Sequence, residues 1–196
     1  MTTSRDRKPA DDTLFSYFRL FMDDKGLASV TPSSKYLIAR VLKAMDLKNN
    51  KVILEYGAAD GPMTLLILEG LHADGRVVTV ELNKTLFNSL RHLSRDPRFF
   101  PVQGDVREAD AIAARHGIGH GQVDVIISGI PFAFLSDSDR RELLAKTSRL
   151  LRPGGRFIAY QVTTHLIPLL KDYFSRVDIQ FEIRNIPPHF VFTAHK

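Results

Sequence analysis

Five short apolar runs, each followed by a segment with helical periodicity, constrain the fold of this chain more than any other feature. Each run is five or six residues long, and the first, VILEY, has the two-sided apolar character of a buried parallel strand. The runs occupy residues 52–56, 76–81, 99–103, 123–128 and 157–161. Because strands and helices alternate, we predict right-handed crossovers and a Rossmann-like, doubly wound α/β sheet.

The last part of the chain follows a different pattern. Two strand-like runs at 177–184 and 189–194 are separated by a Pro-Pro pair and not by a helix. We therefore predict a seven-stranded sheet that is mostly parallel with an antiparallel C-terminal strand. The length of 196 residues suits one such domain, assigned to residues 31–196, preceded by an N-terminal tail and amphipathic helix at residues 1–30.

Composition excludes some classes of protein. The chain has no cysteine, which rules out disulfide frameworks and thiolate metal sites. Neither His165 nor His189 has an Asp or His neighbour at metal-ligand spacing, so no metal is predicted. No apolar run approaches the roughly 18 residues of a membrane span, and the charged N-terminus lacks the apolar segment of a secretory signal. The net charge of +5 fits an acidic partner, either nucleic acid or an anionic membrane surface, or simply a soluble surface.

The segment LEYGAADGP links the first strand to the helix that follows it. Gly57 and Gly61 permit backbone angles and close approach that a side chain would block. A pyrophosphate-binding turn has the pattern GxGxxG, but here Ala59 stands at the middle glycine position, and Glu55 and Asp60 place carboxylates beside the turn. Such a turn would repel a pyrophosphate and favours a ligand with an ammonium or sulfonium group.

Acidic residues also end the next two strands. Glu81 follows Gly61 by 20 residues, where doubly wound folds place an acid on ribose hydroxyls, and Asp105 ends the third strand. Taken singly, Glu81 could be a solvated strand end and Asp105 a helix N-cap. Because ligands bind beyond the carboxyl ends of such strands, these two acids and Glu55 together predict one site there.

From about residue 33 onward the chain resembles the class I S-adenosylmethionine-dependent methyltransferases. LEYGAADG is similar to their first motif, VTVELN to the second, QGDV to the third and SGIPF to the fourth. The resemblance implies a methyltransferase that uses S-adenosyl-L-methionine as its cofactor, with adjusted packing where Ala59 replaces the usual glycine. The cofactor contacts that it implies come from Glu55, Gly57, Ala58, Ala59, Gly61, Glu81, Leu82, Asp105, Val106 and Ser128.

The SGIPF segment, residues 128–132, is predicted to face the methyl donor and to carry the reaction. In adenine N6-methyltransferases an Asn or Asp stands here before Pro and an aromatic residue, and its side chain accepts a hydrogen bond from the amine. The corresponding position in this chain is Gly129, so a backbone carbonyl of Ser128 or Gly129 would accept instead. Pro131 and Phe132 complete the predicted catalytic set, and Phe132 either offers an aromatic face to the acceptor or caps the core.

A second resemblance, to the bacterial phospholipid N-methyltransferases that methylate phosphatidylethanolamine, is closer. Those enzymes carry P-S-S, S-G-[LI]-P and R-N-x-P-P segments, which this chain has at residues 32–34, 128–131 and 184–188. The resemblance implies a membrane-gripping N-terminal helix and a cytoplasmic, peripheral location at the inner membrane face. The segment 13–25 fits a membrane-surface helix, or alternatively a helix docked on its own domain. Its apolar face comprises Leu14, Phe15, Phe18, Phe21 and Met22.

Three side chains are predicted to contact the acceptor. Tyr36 and Tyr160 would shape its pocket, and Arg184 would meet a lipid phosphate or else pair with a surface acid. His165 and His189 are the candidate proton acceptors. For each of these residues an ordinary structural role stays open.

The sequence therefore predicts an S-adenosylmethionine-dependent N-methyltransferase that acts on phosphatidylethanolamine-type head groups at an anionic membrane surface. One alternative acceptor is the N6 atom of adenine in ribosomal RNA. The other alternative is a cofactor-binding protein without catalysis, in which Ala59 and Gly129 mark a decayed site. The sequence leaves the number of methyl groups transferred and the oligomeric state open.

Overall fold

The computed structural model describes residues 33–196, which form a seven-stranded sheet in the order β3-β2-β1-β4-β5-β7-β6. Within the described residues, six strands of the sheet run in one direction and β7 runs in the opposite direction. Its pairings with β5 and β6 are antiparallel, and the other pairings are parallel. The predicted fold class is confirmed. The strands are β1 (Val52–Tyr56), β2 (Arg76–Glu81), β3 (Phe99–Gln103), β4 (Val123–Ser128), β5 (Leu151–Gln161), β6 (Arg176–Glu182) and β7 (His189–His195).

Six α-helices accompany these strands in the described residues. Helices α1, α2 and α3 contribute to one apolar cluster that includes Leu37, Ile67 and Leu90, and α5 contacts both α4 and α6. The sheet is thus covered on both faces, which explains why its central strands are buried throughout. The helices are α1 (Lys35–Met45), α2 (Pro62–Gly70), α3 (Lys84–Leu90), α4 (Ala109–Arg115), α5 (Asp137–Leu150) and α6 (Leu166–Tyr173).

Local sequence signals account for where the helices begin. The Ser34 hydroxyl accepts a hydrogen bond from the Leu37 N–H, and the Asn83 side chain accepts from two N–H groups of α3. Pro62 begins α2, where its missing N–H leaves no intrahelical bond unmade. Pro62 and the Asn83 cap thus mark the ends of the two strand-to-helix turns that follow β1 and β2 at the carboxyl edge of the sheet.

The start of β5 differs from the prediction. The sequence predicts this strand at residues 157–161, but β5 already begins at Leu151 and includes the turn-forming residues Pro153, Gly154 and Gly155. Its pairing with β4 is irregular there, since Leu151 lies opposite Val123 and Arg156 opposite Val125. A bulge of this kind accommodates turn-forming residues within a strand, and Gly154 takes a positive φ of 76°.

The amphipathic helix predicted at residues 13–25 lies outside the described residues, as does Pro32 of the P-S-S segment. Among the helices at residues 33–196, none has the length and apolar character to cross a bilayer.

Candidate active site

The turn between β1 and α2 has an unusual backbone. Gly57, Ala59 and Gly61 all have positive φ, at 72°, 51° and 92°. Ala59 therefore keeps the left-handed conformation that glycine adopts without strain, although it carries a Cβ. A Cβ on Gly57 would lie 2.6 Å from Cγ2 of Ile130, so the glycine lets this turn pack directly against the SGIPF loop. Ala58, next in sequence after Gly57, is buried.

The Glu81 carboxylate, at the end of β2, braces this turn. Its Oε2 accepts from the Ala59 N–H at 2.9 Å and its Oε1 accepts from the Asn83 N–H at 2.7 Å. The side chain is buried, and burial raises its pKa, while these backbone hydrogen bonds act in the opposite direction. Each carboxylate oxygen can accept a second hydrogen bond, so Glu81 retains acceptors for ligand hydroxyls.

A second buried carboxylate, Glu55, lies one strand away in β1. Its Oε2 accepts from the Thr64 hydroxyl of α2 at 2.6 Å. Burial raises the pKa of Glu55 to about 7, the Thr64 hydrogen bond opposes that shift, and repulsion from Glu81 adds to it. A carboxyl group poised near neutral pH beside a second acid is typical of a functional site, and it suits a ligand that brings a positive charge.

The third strand-end acid has a local role. The Asp105 Oδ1 accepts from the Arg107 N–H at 2.8 Å, and its Oδ2 accepts from the Arg107 guanidinium. Asp105 is therefore an N-cap, as the alternative interpretation proposed, and it also forms an ion pair. Beside it at the same edge, Val106 is half-buried and Leu82 is 46% exposed, which leaves apolar surface for a flat ring.

The loop at residues 129–132, which we call the acceptor loop because the sequence predicts that it faces the methyl acceptor, begins where β4 ends. Ser128 pairs with Tyr56 of β1 and Ala159 of β5, and within residues 33–196 its buried Oγ has no hydrogen-bond partner. A Cβ on Gly129 would lie 2.5 Å from the Tyr160 hydroxyl and 3.5 Å from the Gly57 carbonyl oxygen. The Tyr160 hydroxyl thus occupies the space that an Asn or Asp side chain would need at position 129.

Gln161, which the sequence analysis missed, positions this loop. Its Oε1 accepts from the Phe132 N–H at 3.3 Å, and its Nε2 donates to the Ile130 carbonyl at 2.7 Å. The side chain is buried at the carboxyl end of β5, next to Tyr160 in sequence. Its position could have indicated this role, because Gln161 is a polar residue at the end of a strand that borders the site.

Phe132 departs from the expectation that it faces the acceptor. Its ring is 2% exposed and packs edge-on against Phe157, with ring centroids 6.1 Å apart. The ring therefore caps the core, as the alternative interpretation proposed, because the 3₁₀ turn at Phe132–Phe134 directs it inward. Pro131 precedes this turn and is half-buried.

Arg184 and Tyr36 interact with each other. The Arg184 guanidinium stacks 3.8 Å from the centroid of the Tyr36 ring and donates to the buried Glu182 carboxylate. Arg40 donates to the same carboxylate, and these cations hold the pKa of Glu182 well below its usual range. Arg184 thus pairs with an acid, which was the alternative to contact with a substrate phosphate.

The two candidate histidines differ in their surroundings. His165 is exposed at the start of α6, whereas the centroid of the His189 ring lies 6.4 Å from that of the Tyr160 ring. The His189 Nδ1 is engaged with the Asn185 side-chain amide and the Pro187 carbonyl. In the part of the chain described, no cluster of acidic and histidine side chains has the geometry of a metal site.

Comparisons with known proteins identify the family of this chain. The family described as "Methyltransferase domain" matches residues 53–155. An ornithine lipid N-methyltransferase of Singulisphaera acidiphila is 31% identical over 176 residues, which cover 87% of this chain and 88% of that protein.

Solved structures show the same fold. A Burkholderia thailandensis 1,6-didemethyltoxoflavin-N1-methyltransferase, crystallised with S-adenosylhomocysteine, has a TM-score of 0.71 at 20% identity and covers 100% of this chain and 93% of its own. A precorrin-6y C5,15-methyltransferase of Geobacter metallireducens has a TM-score of 0.64 at 16% identity and covers 83% and 90%. The family match spans more than half of the chain, so the chain belongs to the methyltransferase domain family and is an S-adenosylmethionine-dependent methyltransferase.

Proposed function

We propose that this enzyme methylates the primary amine of a membrane lipid head group, of the phosphatidylethanolamine type, at the cytoplasmic face of the membrane. The observation that carries the amine assignment is the Tyr160 hydroxyl, which lies over Gly129 next to the β1–α2 turn. The relationship to an ornithine lipid N-methyltransferase supports a lipid acceptor, and the P-S-S, S-G-I-P and R-N-x-P-P segments favour a phospholipid.

The residues at the carboxyl edge fit S-adenosylmethionine. Glu55, Gly57 and Gly61 would hold its cationic amino-acid part, Glu81 its ribose hydroxyls, and Leu82 with Val106 the flat adenine ring. The fit rests on two buried carboxylates at adjacent strand ends. The positive charge of the amino-acid part would compensate the charge of Glu55, and the two ribose hydroxyls would donate hydrogen bonds to Glu81. When bound, this cofactor supplies a methyl group activated by a sulfonium.

The chain's own contribution to the reaction is alignment and exclusion of water. Burial raises the pKa of the Tyr160 hydroxyl, with repulsion from Glu55 as a smaller cause, so the phenol stays neutral at physiological pH. A neutral hydroxyl can accept a hydrogen bond from an amine while the amine nitrogen keeps its lone pair. The His189 imidazole beside Tyr160 is the group that we propose takes up the amine's proton.

Two observations weigh against an adenine acceptor. The Tyr160 hydroxyl fills the position of the base-reading Asn or Asp, and the Phe132 ring is buried and offers no stacking face. An aliphatic amine needs neither feature. The family assignment likewise supports an enzyme over a cofactor-binding protein without catalysis.

The test is to supply radiolabelled methyl donor together with phosphatidylethanolamine vesicles, ornithine lipid vesicles or ribosomal RNA, in separate reactions. We expect label in phosphatidylethanolamine, and Tyr160→Phe should lower that labelling by roughly tenfold to a hundredfold at unchanged donor affinity. Glu81→Ala serves as a control for donor binding, which it should weaken. Label confined to ornithine lipid would correct the head group, and label confined to RNA would refute the proposal.

A further inference from the structure

The connection between β6 and β7 exposes apolar side chains that the proposed reaction does not use. We call residues 183–188, with the sequence IRNIPP, the β6–β7 tip. Ile183 is 68% exposed and Ile186 is 74% exposed, and they are the two most exposed large apolar side chains within residues 33–196. Single exposed apolar residues are ordinary on protein surfaces, but two isoleucines beside two exposed prolines on one short turn are not.

The tip is held in shape by a buried side chain. Asn185 is 3% exposed; its Oδ1 accepts from the Ser34 N–H at 2.7 Å and its Nδ2 donates to the Pro187 carbonyl at 2.9 Å. These bonds fasten the tip to the start of α1 and fix its own turn. The isoleucines are therefore presented on a preorganised turn, which reduces the ordering cost of any contact they make.

The polar surroundings of the tip are basic. Arg184 lies within it, and Lys35 lies next to it, with Nζ 5.2 Å from the Tyr36 ring that Arg184 covers. The acid at this end of β6, Glu182, is 1% exposed and is neutralised by Arg40 and Arg184. Apolar residues, an amphipathic tyrosine and basic side chains form the combination that favours the interface of an anionic bilayer.

The tip also lies at the right edge of the sheet. Both β5 and β6 pair antiparallel with β7, so β6 runs parallel to β5 and the carboxyl ends of both strands lie at one edge. That edge carries Tyr160, Gln161 and the acceptor loop. We infer that the β6–β7 tip inserts Ile183 and Ile186 into the surface of an anionic phospholipid bilayer, where it orients the site toward lipid head groups. The orienting role rests on the proposed function; the insertion does not.

The test compares the full chain with the Ile183→Ser/Ile186→Ser double variant. Co-sedimentation with phosphatidylcholine vesicles that contain phosphatidylglycerol should show the variant binding roughly tenfold or more weakly, because two apolar side chains no longer leave water. Ile179→Ser is the matched control, since Ile179 is also exposed on β6 but lies away from the tip. It should leave vesicle affinity unchanged.

Assays of methyl transfer distinguish an effect on membrane docking from an effect on catalysis. The double variant should lose activity on vesicle lipid but keep it on dihexanoyl phosphatidylethanolamine supplied as monomers. Unchanged vesicle affinity in the double variant would overturn the inference. So would a change from dimer to monomer without loss of vesicle binding, since the tip would then join two copies of the chain. If the tip proves necessary for vesicle binding but no lipid is methylated, the inference stands and the proposed function fails.

Discussion

The tight contact between Gly129 and Tyr160 is the residue-level feature that most sharply separates this site from that of a base methyltransferase. The Tyr160 hydroxyl lies where the Cβ of any larger residue at position 129 would be. The sequence shows that a polar group is missing at Gly129, but it does not show what replaces it. Tyr160 lies 31 residues further along, and only the pairing of β4 with β5 brings the two residues together.

Gly129→Ala should destabilise the folded chain by about 1–3 kcal/mol, because the added Cβ lies 2.5 Å from the Tyr160 hydroxyl. Combining it with Tyr160→Phe should recover part of that loss, since the nearest remaining atom is then Cζ at 3.1 Å. Urea unfolding of the two single variants and the double variant measures the coupling. Strictly additive free energies of unfolding would contradict the contact.

Glu55 should make stability depend on pH in an unusual direction for an acid. Its pKa is raised from 4.5 to about 7, so between these values the folded chain retains a proton that the unfolded chain has released. The free energy of unfolding therefore falls as pH rises through this window, by about 3 kcal/mol in total.

Glu55→Gln removes this dependence because its amide does not ionise. Urea unfolding at pH values from 4.5 to 8 should show the variant gaining stability relative to the native chain as pH rises, most steeply up to about pH 7. Glu108→Gln, an exposed acid, is the control and should leave the slope unchanged. A constant difference between the native chain and Glu55→Gln would show that folding does not raise the pKa of Glu55.

At the scale of elements, the sequence predicted strands and helices well because each carries its own period and caps. The errors fall where tertiary contacts override local signals. Turn-forming residues at 153–155 lie within β5, and the aromatic ring of Phe132 turns into the core. Gln161 was missed because its role depends on two loop atoms that it reaches only in the folded sheet.

The junction between α1 and the β6–β7 tip was equally invisible in the sequence. Two segments identified separately by resemblance, P-S-S and R-N-x-P-P, meet through the hydrogen bond from the Ser34 N–H to Asn185, across 151 positions of the chain. Both segments therefore have a shared structural role in the part of the chain described.

Asn185→Ala should lower the free energy of unfolding by about 1–3 kcal/mol, because it leaves the Ser34 N–H without its side-chain partner and removes one of the two side chains bonded to the Pro187 carbonyl. Thermal and urea unfolding measure the change. Asn49→Ala is the comparison, since the exposed Asn49 amide donates to the Asp46 carboxylate at the protein surface and its loss should cost less than about 0.5 kcal/mol. Equal effects of the two substitutions would argue against a structural junction.

For the molecule as a whole, the sequence predicted the fold class and the family, since both depend on patterns that span most of the chain. It could not decide between a lipid and a nucleic-acid acceptor, because a net charge of +5 fits both. The proposal of a lipid acceptor rests on the geometry at Gly129 and on the basic, apolar β6–β7 tip, and neither can be read from composition.

Binding to anionic vesicles should weaken, but not vanish, as salt rises. Between about 0.05 M and about 0.5 M NaCl the Debye length falls from roughly 14 Å to roughly 4 Å, which screens the net positive charge while apolar insertion persists. Co-sedimentation across this range measures both parts. Vesicles of phosphatidylcholine alone should show little salt dependence, and complete loss of binding at high salt would mean that charge acts without insertion.

The placement of β7 also bears on how the chain reaches its native state during translation. β7 is made after β6 yet lies between β6 and β5, so β6 cannot join the sheet until residue 195 has left the ribosome. Until then the nascent chain exposes the open side of β5, including the strand end that carries Tyr160. An unpaired strand edge of this kind can pair with other chains and aggregate. The interval before β7 is synthesised is therefore the stage at which a chaperone would matter most.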